Sequence, residues 1–79
     1  MSQITPDQQN TYLLAFEKRI AAYGTKLGAL TDDAKKLALT DMQAKLAKAR
    51  TEARLAAYAE KVASWNTLLS DADQLLNET

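Results

Sequence analysis

The stretch KARTEARLAAYAEK, residues 48–61, decides how many helices the chain forms, because the apolar face of the sequence changes sides within it. Before this stretch and into it, apolar residues recur at spacings of three and four, as on one face of a helix. This first stripe consists of Leu39, Met42, Leu46, Ala49, Ala53 and Ala57. A second stripe then follows similar spacings, with Ala72 filling a gap, and consists of Leu55, Tyr58, Val62, Trp65, Leu69 and Leu76. On one continuous helix the two stripes would lie about 150° apart.

Residues 48–61 contain neither Gly nor Pro, and neither occurs anywhere after Gly28. The chain of 79 residues has only two Gly and one Pro, and it is rich in strong helix formers such as Ala, Leu and Lys. Since nothing breaks the helical pattern, the sequence predicts one continuous helix from about 32 to about 76. Such a helix would be about 65 Å long.

A shorter helix is predicted before it, from about 6 to about 26. Its start is indicated by three residues. Thr5 can cap the helix, Pro6 suits the first helical position, and Gln8 is the partner of Thr5 in a capping box. The apolar seam that follows consists of Leu13, Phe16, Ile20, Tyr23 and Leu27. Gly28 is predicted to stop the helix in a left-handed conformation. The connection covers about 27–31, and Thr31 is predicted to cap the second helix.

The predicted fold is therefore all-α, a hairpin of a short first helix and a long second helix. The first helix, about 30 Å long, covers only half of the second, so the second stripe needs another cover. Burial of each large apolar side chain is worth about 1.5–3 kcal/mol. Either a second copy covers the stripe in a homodimeric bundle, or the helix breaks near 64–70 and folds back as a monomeric three-helix bundle. The absence of Gly and Pro favours the homodimer.

Composition narrows the classes of function. The chain forms one small domain and contains no Cys and no His, so we predict no metal site, no cofactor and no enzyme activity. Ten basic and ten acidic residues cancel, which disfavours a dedicated nucleic-acid binder. No apolar run is long enough to span a membrane, and the N-terminus lacks a signal-peptide pattern. A cytoplasmic protein is expected.

Two surfaces are candidates for binding. The second stripe is predicted as a partner or dimer interface anchored by Tyr58 and Trp65, with packing inside a core as the alternative. A possible basic patch, suited to phosphate contacts, consists of Lys45, Lys48, Arg50, Arg54 and Lys61. The alternative for this patch is a solvated helix face, since Glu52 and Glu60 interrupt it.

These features favour a non-catalytic protein-binding regulator or inhibitor that acts through the exposed helix surfaces of a small dimer. Small inhibitors of this kind are encoded by phages and mobile elements, which is an analogy at the level of the fold. One alternative is a nucleic-acid-binding dimer that uses the basic flank. Another is a structural or assembly subunit of a secretion or virion system. The expected partners are a second copy, another protein and, on weaker grounds, nucleic acid, but no membrane.

Overall fold

Three α-helices form the part of the chain that the computed structural model describes, residues 3–55 and 58–79. Helix α1 spans Pro6–Ala29, α2 spans Asp33–Leu55 and α3 spans Val62–Glu78. A single turn of 3-10 helix, Ala59–Lys61, leads into α3. The prediction of an all-α chain is therefore confirmed over the described residues.

The predicted continuous second helix is wrong. α2 ends at Leu55, and Tyr58 has an extended backbone with φ −91° and ψ 145°. Tyr58 there forms an isolated antiparallel bridge with Gln3. The alternative break near 64–70 is misplaced as well, because those positions lie inside α3. The chain reverses within residues 48–61, where the apolar stripe changes sides, since reversal at this point turns the second stripe towards α1 and α2. Packing overrides helix propensity here.

The start of α1 is confirmed, and its end is corrected. The Gln8 amide N–H donates to Thr5 Oγ1 over 3.2 Å, and the Thr5 N–H donates to Gln8 Oε1 over 3.2 Å, which completes the capping box. The helix then continues past Gly28 to Ala29, and no glycine of the described residues has a positive φ. The predicted left-handed stop at Gly28 is therefore wrong. Leu30, which packs against the core, ends the helix with an extended backbone.

The start of α2 also differs by one residue from the prediction. The backbone N–H of Lys35 donates to Asp32 Oδ1 over 3.1 Å. Asp32, rather than Thr31, therefore caps this helix. A carboxylate is an effective cap because it accepts from an otherwise unpaired N–H and also carries the charge that favours a helix start.

Long-range hydrogen bonds define how the helices run. Gln9 Nε2 donates to the carbonyl of Ala53 over 2.8 Å, near the start of α1 and the end of α2, so these two helices are antiparallel. Tyr12 Oη donates to Asn66 Oδ1 over 2.8 Å, and Arg19 Nε donates to Asp73 Oδ1 over 2.9 Å. Both pairs link α1 to α3 with the same offset in sequence, so α1 and α3 are parallel. The bundle is elongated, with extents of 43 × 17 × 17 Å.

All three helices contribute to one core. Its buried residues are Phe16, Tyr23, Leu39, Leu46, Ala49, Ala53, Trp65, Leu69 and Ala72. The Trp65 ring lies 5.2 Å from that of Tyr12 and 6.1 Å from that of Phe16, with the second pair edge to face, a favourable aromatic geometry. The first stripe therefore faces the core as predicted, except that Ala57 lies outside the described residues.

Tyr23 makes a pH-dependent contribution to stability. Its ring is buried, and its hydroxyl donates to the carbonyl of Ala72 in α3. Burial, and secondarily the negative charge of Asp73, raises the pKa of Tyr23 above its ordinary value of 10.0. The unfolded chain therefore loses this proton first, so the contribution is complete below about pH 10 and is lost as the pH rises further. We expect the free energy of unfolding, measured with urea and circular dichroism, to fall above pH 10, and less steeply in Tyr23→Phe.

Tyr58→Phe is the matched control, because it removes a hydroxyl outside the buried core. It is expected to keep the alkaline loss of stability of the parent chain. Equal alkaline slopes for the parent and Tyr23→Phe would contradict the role given to Tyr23.

Candidate functional site

An open groove of about 230 Å³ lies between α2 and α3. Its lining residues are Lys45, Lys48, Ala49 and Glu52 from α2 and Ser64, Trp65 and Leu68 from α3. Ala49 presents only a methyl group to this wall, which leaves room between the helices. The two helices are antiparallel, so Glu52 and Ser64 lie towards one end of the groove, and Lys45 and Leu68 towards the other. The groove thus combines two ammonium groups, one carboxylate, one hydroxyl and apolar surface.

The indole of Trp65 has an unusual position in this groove. The residue is only 2% exposed, and its buried Nε1 atom has no hydrogen-bond partner among the described residues. Buried polar groups are nearly always paired, and leaving one unpaired costs about 1–3 kcal/mol. Sequence reasoning treated Trp65 as an apolar anchor and missed this donor, since no sequence signal shows which donors lack partners.

The predicted interface stripe does not form one surface. Trp65 and Leu69 lie in the core, while Tyr58, Val62 and Leu76 are half-buried. Leu55, by contrast, is 80% exposed at the end of α2. The chain's own α1 and α2 cover most of the stripe, so its burial does not require a second copy. A partner contact through the accessible members of the stripe stays a prediction.

The predicted basic patch is divided between two sides of α2. Lys45 and Lys48 line the groove towards α3, whereas Arg54 Nη2 lies 3.7 Å from Glu17 Oε1 of α1. Arg50 is half-buried and, at 100° per residue, points about 160° away from Lys48. Lys61 is exposed in the 3-10 turn. The structure therefore brings together Lys45 and Lys48 in the groove but separates them from the two arginines.

The outer face of α2 carries a second candidate surface, which sequence reasoning missed. Leu37 is 64% exposed and Leu55 is 80% exposed. They are eighteen positions apart, which is about five turns of an α-helix and about 27 Å, so both point in the same direction. Between them on this outer face, at spacings of three and four, lie Asp41, Ala44, Lys48 and Thr51. The eighteen-residue spacing of the two leucines was the available signal.

A third exposed leucine, Leu14 at 57%, lies on α1. Its position is about 160° around the helix from Phe16, so it points away from the core. It shares no face with Leu37 and Leu55, and it therefore provides a matched control for both.

The described residues contain no group of three or more His, Cys, Asp or Glu side chains that could hold a metal ion. No helix in the described ranges is long and apolar enough to cross a membrane. No protein-family model, curated protein or solved structure matches this chain. The groove and the outer face of α2 are therefore the features from which function is inferred.

Proposed function

We propose that the chain is a non-catalytic protein-binding module that acts as a homodimer. The observation that carries this proposal is the alignment of Leu37 and Leu55, the two most exposed large apolar side chains, on the outer face of α2. Removal of exposed apolar groups from water drives most protein–protein association, and here such groups mark both ends of one helix face. The two leucines lie near opposite ends of a single helix, which is a geometry suited to pairing with a copy of itself.

The outer face is self-complementary when two copies pair antiparallel about a two-fold axis. Leu37 of one copy then meets Leu55 of the second copy, and the same contact repeats at the other end. Asp41 lies one turn from Lys48 of the second copy, so two pairs of opposite charges face each other. Ala44, close to the centre, is small enough to let the two helices approach.

The energetic balance indicates a weak dimer. Full burial of four leucines would contribute on the order of 6–12 kcal/mol. Association costs about 4–15 kcal/mol in lost freedom of motion. Even the most favourable combination, about 8 kcal/mol, corresponds to a dissociation constant of only about 1 µM, so the association is sought between micromolar and millimolar concentrations.

Sedimentation equilibrium from about 10 µM to about 1 mM, a range that brackets such an association, tests the proposal. The average mass is expected to rise from the 8.7 kDa of one chain towards twice that value. Leu55→Glu places a charge in the contact and is expected to keep the chain monomeric. Leu14→Glu adds the same charge on α1, outside the contact, and is expected to associate as the parent chain does.

A mass of 8.7 kDa at every concentration would contradict the homodimer. Loss of association in Leu14→Glu but not in Leu55→Glu would move the contact to α1. Growth beyond twice the chain mass would instead favour the assembly-subunit alternative. The nucleic-acid alternative gains no support from the basic residues, because Arg54 is engaged with Glu17 on the opposite flank from Lys45 and Lys48.

A further inference from the structure

We propose that the groove between α2 and α3 binds the carboxylate side chain of an acidic residue in a partner protein. This inference rests on the protein-binding part of the proposed function and specifies the chemistry of the partner. It does not depend on the homodimer, since the two surfaces share only Lys48.

Hydrogen-bond donors dominate the polar lining of the groove. Lys45 and Lys48 each carry an ammonium group with three donors, and Ser64 adds a hydroxyl. An ionised carboxylate only accepts hydrogen bonds and has about four lone-pair sites, so it can engage both ammonium groups at once. Such charge-assisted bonds are about twice as strong as neutral ones. The groove therefore favours an anionic acceptor over a neutral amide of the same shape.

The position of Glu52 defines the orientation of the occupant. Its carboxylate lies one turn beyond Lys48, towards the end where Ser64 lines the opposite wall. The acidic group of the occupant is thus directed towards Lys45 and Lys48, while its neighbouring backbone N–H faces Glu52. Leu68, at the lysine end, offers apolar contact to the methylene groups of a glutamate side chain.

Trp65 adds a second, independent observation at this groove. It lines the groove, it is 2% exposed, and its Nε1 atom has no acceptor among the described residues. The edge-to-face ring of Phe16 is nearby, but an aromatic ring is a weak acceptor and does not replace a carboxylate oxygen. Less than 1 Å² of this nitrogen is accessible, so an occupant of the groove reaches it only when the side chains around it move.

The size of the groove fits one side chain rather than a larger ligand. Its volume of about 230 Å³ lies below the roughly 300–1,000 Å³ of typical small-molecule sites. It exceeds several times the roughly 30 Å³ that one water molecule occupies. A glutamate side chain with its adjoining backbone matches this space.

The only tryptophan of the chain, Trp65, reports directly on the groove. The probe is N-acetyl-glutamate N-methylamide, and its glutamine analogue is the neutral match. The titrations use Leu55→Glu, which keeps the chain monomeric if the dimer forms as proposed. The glutamate probe is expected to change the emission saturably and to move the indole N–H proton resonance downfield. The glutamine analogue is expected to bind at least about tenfold more weakly.

Lys45→Ala/Lys48→Ala is expected to weaken binding of the glutamate probe by about tenfold or more. Lys18→Ala/Lys35→Ala removes the same charge from exposed positions outside the groove and is expected to bind as before. Circular dichroism of each variant shows whether it is folded, which is expected because the four lysines are exposed.

Equal responses to the two probes, or an unchanged spectrum at saturating probe, would overturn the carboxylate site. Equal weakening in the two double variants would overturn it as well, since it would show a general effect of charge. If the glutamate probe does not bind but the parent chain dimerises with rising concentration, the groove proposal is wrong and the homodimer stands. If the glutamate probe binds but the parent chain stays monomeric at every concentration, the homodimer is wrong and the groove proposal stands.

Discussion

Replacing Trp65 with Ala is expected to lower the free energy of unfolding by about 3–5 kcal/mol, a large fraction of what a small domain possesses. The side chain is 2% exposed and packs against the rings of Tyr12 and Phe16 of α1. Its loss leaves a cavity where the three helices meet, and it removes aromatic contacts worth about 0.5–1.5 kcal/mol each beyond their area. Urea denaturation followed by far-ultraviolet circular dichroism at low protein concentration measures the change.

Leu14→Ala is the control for a general loss of apolar surface, because Leu14 is 57% exposed. Its effect is expected to stay within about 0.5 kcal/mol. Where Trp65→Ala does not fold at all, Trp65→Phe retains part of the packing and allows a smaller loss to be measured. A loss for Trp65→Ala that depends on protein concentration would show that Trp65 stabilises an interface between copies rather than the core of one chain.

The second large effect is expected for Leu46→Ala, at about 2–5 kcal/mol. Leu46 is fully buried, whereas Leu55 in the same helix is 80% exposed. Leu55→Ala is the same chemical change in the same helix, and it is expected to alter stability by no more than about 0.5 kcal/mol. The difference between the two variants in urea midpoints therefore isolates the burial of Leu46 from the change in side chain.

Similar losses in the two variants would contradict the orientation of α2, because they would place both leucines in comparable surroundings. A small loss for Leu46→Ala and a large one for Leu55→Ala would reverse the buried and exposed faces of this helix.

The start of α1 could be predicted from the sequence because it depends on local chemistry. Thr5, Pro6 and Gln8 satisfy the free N–H groups of the first turn by themselves. The apolar seam of α1 was equally accessible, since it follows from a spacing of three and four. The end of α1 was harder to predict from the sequence. Gly28 adopts a helical conformation, and tertiary packing of Leu30 determines where the helix stops.

The reversal between α2 and α3 could not be predicted from breaker residues, because residues 48–61 contain none. Interrupting a helix removes a few backbone hydrogen bonds of about 0.5–1.5 kcal/mol each. Burial of Trp65 and Leu69 against the core contributes about 1.5–3 kcal/mol for each side chain. The lost hydrogen bonds and the gained burial are similar in size. Whether the helix breaks therefore depends on how much apolar surface the reversal buries within the chain. The change of sides in the apolar stripe is the sequence signal of this break, whereas the absence of Gly and Pro favours a second chain as the cover.

The groove was out of reach of sequence reasoning for the same reason. Lys48 and Trp65 face one space only because α3 folds back beside α2. On one continuous helix these two residues, seventeen positions apart, would be separated by about 25 Å.

The course of the three helices places the two described ends of the chain far apart. α1 and α3 run parallel and α2 returns between them, so Gln3 and Thr79 lie at opposite poles of a bundle 43 Å long. The bridge from Gln3 to Tyr58 holds the first pole together at the reversal. Any cargo joined to the two ends would therefore be kept apart by the length of the bundle. In an antiparallel pair, each pole would hold the start of one copy beside the end of the other, so cargo on different copies would meet there.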